Sequence, residues 1–143
     1  MTLIVKNTAR LVGGFIAVFG VYVALTGHLG PGGGFAGGVI LAAAAVLIVL
    51  AFGREFASRV ITEPICHVGD SGGAMLFAAI ALLGYLAGTF FVNFASLGRL
   101  GHLASAGTIP ISNLAILVKV GAGLAGAFLA LSAFRPTAPN QEV

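Results

Sequence analysis

The stretch Gly27–Gly38, GHLGPGGGFAGG, joins two long apolar runs and contains no Asp, Glu, Lys or Arg. Glycine opens backbone conformations closed to other residues and Pro31 fixes one, so the run specifies a compact turn where helices approach closely. A turn of this kind, set between uncharged apolar segments, belongs at the edge of a membrane.

Composition agrees. Of the 143 residues, 59% are hydrophobic and only 8% are charged, and the mean hydropathy is +1.10. A water-soluble domain of this length has no means of hiding so much apolar surface, and the chain is better counted in bilayer crossings of about 20 residues each. The reading is an all-α integral membrane protein with four transmembrane helices and short loops, at roughly 8–26, 36–52, 72–93 and 111–134, forming a single domain with a polar tail at 135–143. The first apolar run leads into Thr26-Gly27-His28 without a small-x-small pattern, so it is expected to be a span and not a cleaved signal.

Orientation follows from the basic residues. Lys6, Arg10, Arg54, Arg59 and Arg135 fall on one side of this scheme, and Arg99 on the other. The asymmetry predicts both termini and the Arg54–Ser71 loop in the cytoplasm, with the glycine-rich loop and the Leu97–Pro110 loop facing outward. The basic residues are spread along the chain rather than gathered on one surface, so a nucleic-acid partner is not expected.

Small residues recur at helical steps of three and four. Gly13, Ala17, Gly20 and Ala24 align in the first helix, and Ala74, Ala78, Ala81, Tyr85 and Gly88 in the third. In the fourth, Ala115, Lys119, Ala122, Gly126, Ala130 and Ala133 form one stripe, and Leu117, Val120, Leu124, Phe128 and Leu131 another. Such faces let backbones approach in a solvent that already dissolves leucine well, and their number predicts neighbours beyond this chain.

Lys119 is the only charged residue set deep in any of the four runs. Eight residues beyond Ile111, it lies roughly 12 Å into its helix. A charge there costs at least a few kcal/mol, so it must face protein or water and have a partner. None of the four runs contains an acid, so that partner is expected from another chain. Two readings stand: a proton-relay or ion-coupling lysine, or one that snorkels or pairs for assembly alone.

His28 follows Gly27 after the first helix and His102 follows Gly101 after the third, a weak sign of two repeated hairpins. Histidines at the outer boundary are suited to pass protons, or simply to hydrogen-bond the backbone of their loops. Asp70 and Ser71 read as N-caps and Pro110 as a first-turn proline. Asn93, Ser112 and Asn113 read as helix-end markers. Cys66 is the only cysteine, and with His67 alone beside it a metal site is not expected. Gly121, Gly123 and Gly126 spell GxGxxG, but inside an apolar helix with no strand before it. No nucleophile, base and oxyanion donor assemble, so no enzyme activity is expected.

The motif at Gly27–Gly38, comprising Gly27, His28, Pro31, Gly32, Gly33, Gly34, Phe35, Gly37 and Gly38, together with SAGTIPISNLAILVKVGAGL at Ser105–Leu124, resembles the MnhB family, the second subunit of Mrp-type multisubunit cation/proton antiporters. It is similar as well to counterparts in membrane-bound hydrogenase and related complexes. The resemblance implies a small subunit of the prokaryotic cell membrane, without a cofactor of its own. Its implied partners are the other antiporter subunits, including complex I-like chains, with monovalent cations and protons as cargo and lipid around it. Lys119, His28 and His102 are the ion-pathway candidates. The alternatives are the same module in a redox-driven ion pump, and an independent transporter formed by copies of this chain.

Overall fold

The computed structural model describes residues 2–94, 101 and 105–133. Its elements are α1 (Leu3–Leu25), α2 (Gly34–Phe52), α3 (Arg54–Val60), α4 (Glu63–Leu83) continued by a 3-10 turn (Gly84–Ala87), and α5 (Ile109–Ala133). Among the described residues there is no strand, and α1, α2, α5 and α4 with its 3-10 turn are each long and apolar enough to cross a membrane. The chain is a multi-pass all-α membrane protein.

The four spans run antiparallel in the spatial order α1, α2, α5, α4, with α2 and α5 packed at the centre. Uncharged α2 has the highest hydropathy of the four, as a span flanked on two sides requires. Its two packing faces are written in its glycines. A Cβ on Gly37 would meet the Gly20 carbonyl and Ala24 of α1, whereas one on Gly38 would stand 2.7 Å from Val120 Cβ of α5. Gly34 likewise lies against the Asn113 carbonyl. The motif glycines are therefore as much helix-packing residues as turn residues, and the bulky Leu117 and Val120 of α5 seat against α2 instead of lipid.

At the opposite end Val49, Cys66, Ala125 and Leu129 form a buried cluster joined by Ala45, Ile61 and Phe128. That end is basic. The Lys6 and Arg10 head groups stand 6.0 and 5.4 Å from the Phe52 ring centre, placing the start of α1 beside the end of α2.

Three expectations are corrected. The third span begins at Glu63, not near residue 72, so Asp70 and Ser71 are not its caps. Thr62 stands at the N-cap with Glu63 and Pro64 in the first turn, a start signal that precedes the glycine-rich GDSGG. Most of the expected Arg54–Ser71 loop is consequently helix, as α3 and the first turns of α4. The same span stops its α-helix at Leu83, not near residue 93. Gly84 and Gly88 loosen it, Gly88 takes a positive φ of 119°, and the chain folds back so that Phe91 N–H donates to the Ala81 carbonyl at 3.2 Å. Phe91, itself at φ 61°, lays its ring against Phe77 with centres 5.3 Å apart.

The small-residue stripe of α1 faces the protein, with Gly13, Gly20 and Ala24 buried. The stripe assigned to the third span does not. Of its members Ala81 is buried while Ala78, Tyr85 and Gly88 are exposed. In an Ala-rich helix several faces satisfy the same spacing, and the earlier start moves the packing face to Cys66, Gly69 and Gly73.

A candidate intramembrane ion-pair site

The glycine-rich turn is built largely from its own backbone. Leu29 and Gly30 N–H donate to the Thr26 carbonyl at 2.8 and 3.1 Å, and the Thr26 hydroxyl donates to the Tyr22 carbonyl at 2.8 Å. Gly32 and Gly33 take φ of 149° and 138°, the region that favours glycine, and Gly33 caps α2. From α5, Asn113 Oδ1 accepts from Gly34 N–H at 3.3 Å, tying the turn to the helix that carries Lys119. His28 is half-buried in this turn, and Pro31 and Phe35 are exposed. A second clamp closes the same end, where Asn93 Nδ2 donates to the Ala106 carbonyl and its Oδ1 accepts from Thr108 N–H, both at 3.0 Å. His102 lies outside the described residues, and with it the repeated Gly-His hairpin.

Lys119 has a partner within its own chain, which corrects the expectation of one from elsewhere. Its Nζ donates to Asp70 Oδ1 at 2.8 Å. The pairing follows from the long α4. Starting at Glu63, that helix carries Asp70 about 10 Å in from one end, while Lys119 lies about 15 Å from the start of antiparallel α5. The two meet at depths where a hydrocarbon core about 30 Å thick surrounds them.

Glycines set the approach. A Cβ on Gly73 would stand 2.7 Å from the Ala115 carbonyl and 2.8 Å from Lys119 N and Cβ, and one on Gly69 would stand 2.7 Å from Ala122 Cβ. Gly123 leaves room for the carboxylate, which lies 3.2 Å from where its Cβ would be. The Lys119 and Asp70 side chains remain 47% and 43% exposed. In a membrane that open side needs water or a partner helix. Phe35 of the glycine motif borders the pair across a notch of about 210 Å³, so the turn and the lysine meet at one place. Asp70 is the residue sequence reasoning missed as a member of this site. Its signal was the acid in GDSGG, seven residues after Glu63 and on the face of Cys66, Gly69 and Gly73.

The family model described as a domain related to the MnhB subunit of Na+/H+ antiporter matches residues 4–126. The chain belongs to this MnhB-related family. A Methanocaldococcus jannaschii protein is 33% identical to this MnhB-related chain over 140 residues, covering 92% of it and 52% of the relative. The corresponding Na+/H+ antiporter subunit of Bacillus subtilis is 33% identical over 82 residues, covering 57% of this chain and 56% of the relative. Among solved structures, a chain of the membrane-bound sulfane sulfur reductase, an archaeal respiratory membrane complex, superposes with a TM-score of 0.77 at 34% identity, covering 91% of this chain and 57% of that one. The MnhB-related chain thus spans about half the length of these relatives.

Proposed function

We propose that this chain is a membrane-embedded subunit of a multisubunit Na+/H+ antiporter of the prokaryotic cell membrane, contributing to assembly and to the ion pathway. The family match supports the setting, and the observation that carries the pathway reading is the half-exposed Asp70–Lys119 pair. A pair that served packing alone would be better buried or replaced by apolar residues. Set on the open side of α4 and α5, it presents titratable charge to whichever subunit covers it.

In this reading the small-residue faces and the motif turn fix the helices. Asp70 neutralises Lys119 in the resting state, and a change in either protonation state alters the field at a neighbouring cation site. One lysine and one acid do not make a complete path, so complex I-like partner subunits supply the rest, and the chain has no catalytic site of its own. The basic end of the bundle faces the cytoplasm, with both termini there.

The respiratory complex containing the structural relative favours a second reading, the same module in a redox-driven ion pump. Purification from the native membrane in mild detergent, with mass spectrometry of the intact complex, separates the two. Antiporter-like subunits alone are expected. A hydrogenase-like or iron–sulfur arm establishes the second reading, and recovery of this chain by itself overturns both.

A further inference from the structure

Beyond the ion pair, α4 carries two more ionisable residues whose purpose the fold does not explain. Glu63, His67 and Asp70 follow one another at steps of four and three, which puts them on one helix face. Opposite them α5 presents only small residues, Ala122, Gly123, Gly126, Ala127 and Ala130, and the space left between is a notch of about 280 Å³. It shares Asp70 and Gly123 with the notch that holds Lys119, so the two form one polar cleft. The neighbouring lipid-side surface of α4 is apolar, with Val68, Met75 and Leu76 exposed.

Ionisable groups on a span are costly against lipid and persist where they line water or meet a protein partner. The cleft has room for several waters, each taking about 30 Å³, and polar groups to hold them. It reaches about 10 Å inward from Glu63, roughly a third of a hydrocarbon core. A metal cation is a poor occupant, because the cleft ends on the Lys119 ammonium, and among the described residues no group of three His, Cys, Asp or Glu is placed to hold one. Protons do not share this limit.

We infer that this cleft is a water-filled half-path carrying protons between the basic end of the bundle and the Asp70–Lys119 pair, with His67 as its relay. A proton from bulk water enters beside Glu63 and binds one imidazole nitrogen of His67. The other nitrogen releases a proton through water to the Asp70 carboxylate. Asp70 then becomes a neutral acid, and the charge of Lys119 is left without its counter-ion. The coupling of this step to cation movement rests on the antiporter reading; the water path does not.

The test is thiol accessibility in the assembled complex, in sealed vesicles of both orientations. In a Cys66→Ala background, His67→Cys and Ala127→Cys place thiols in the cleft, while Val68→Cys and Leu131→Cys place them on exposed apolar positions at similar depth. A charged, membrane-impermeant methanethiosulfonate reagent is expected to label the cleft positions at least tenfold faster than the other two, from the basic side alone. Equal rates at all four positions, or equal labelling from both sides, overturn the half-path. His67→Gln is expected to slow coupled proton uptake at least threefold with the complex intact, and an unchanged rate overturns the relay. A cleft that labels as expected in a complex that exchanges no cation keeps the water path and rejects the antiporter reading.

Discussion

Lys119 and Asp70, 49 positions apart in sequence, meet at 2.8 Å because Gly73 lets the backbones of α4 and α5 approach and Gly123 leaves space for the carboxylate. In water a pair this exposed would contribute only about 0–1 kcal/mol. Along a membrane span the alternative to pairing is a lone charge, costing about 2.5–3.5 kcal/mol on insertion scales. The geometry therefore has consequences for both assembly and transport.

Substitution at neighbouring glycines separates packing from composition. Gly73→Ala forces a Cβ to 2.7–2.8 Å from the Ala115 carbonyl and Lys119, whereas a Cβ on Gly72 meets nothing within 4 Å. Gly73→Ala is expected to destabilise by about 1–3 kcal/mol and Gly72→Ala to leave stability near wild type. Thermal unfolding of the detergent-solubilised complex checks both.

The glycine turn depends on one side chain of α5. Asn113→Ala removes the acceptor for Gly34 N–H and is expected to cost about 1 kcal/mol. Amide exchange across Thr26–Gly34 should accelerate, while amides in the middle of α2 keep their protection.

Asn93 holds the return segment to the start of α5 through Ala106 and Thr108. Asn93→Ala removes all of these bonds and is expected to destabilise by about 1–3 kcal/mol. Asn93→Asp keeps the acceptor for Thr108 but loses the donor to Ala106, so it should fall between Asn93→Ala and wild type in the same unfolding measurement.

Arginine is not expected to replace Lys119. It retains its proton where lysine can release one, and its fork is too broad for a cleft shaped around a single ammonium. Lys119→Arg should assemble to near-normal levels and exchange cations at least tenfold more slowly, as measured by sodium-dependent proton flux in vesicles.

Much of this was legible in the sequence. Long apolar runs set the four spans, and Gly13, Gly20 and Ala24 announced the packing face of α1. The depth of Lys119 marked it as needing a partner. The start of α4 was obscured because GDSGG has the composition of a turn, and in a membrane the same glycines serve as packing residues. Treating Asp70 as a cap removed from view the one acid able to reach Lys119. Nothing local in sequence records that pairing, which arises only once α4 and α5 are laid antiparallel. The end of α4 was misjudged for the opposite reason, since apolar Phe90, Phe91 and Val92 prolong the hydrophobic run after Gly84 and Gly88 have ended the helix.

The central claim is that the Asp70–Lys119 pair acts in ion coupling and not only in holding the helices together. Comparing Asp70→Asn, Lys119→Met and the double substitution, with sodium-dependent proton flux measured against the amount of intact complex, addresses it most directly. The account predicts that the double variant, free of any unpaired charge, assembles at wild-type levels yet exchanges cations at least tenfold more slowly. Recovery of wild-type flux in the double variant would show that the pair is structural and contradict the account.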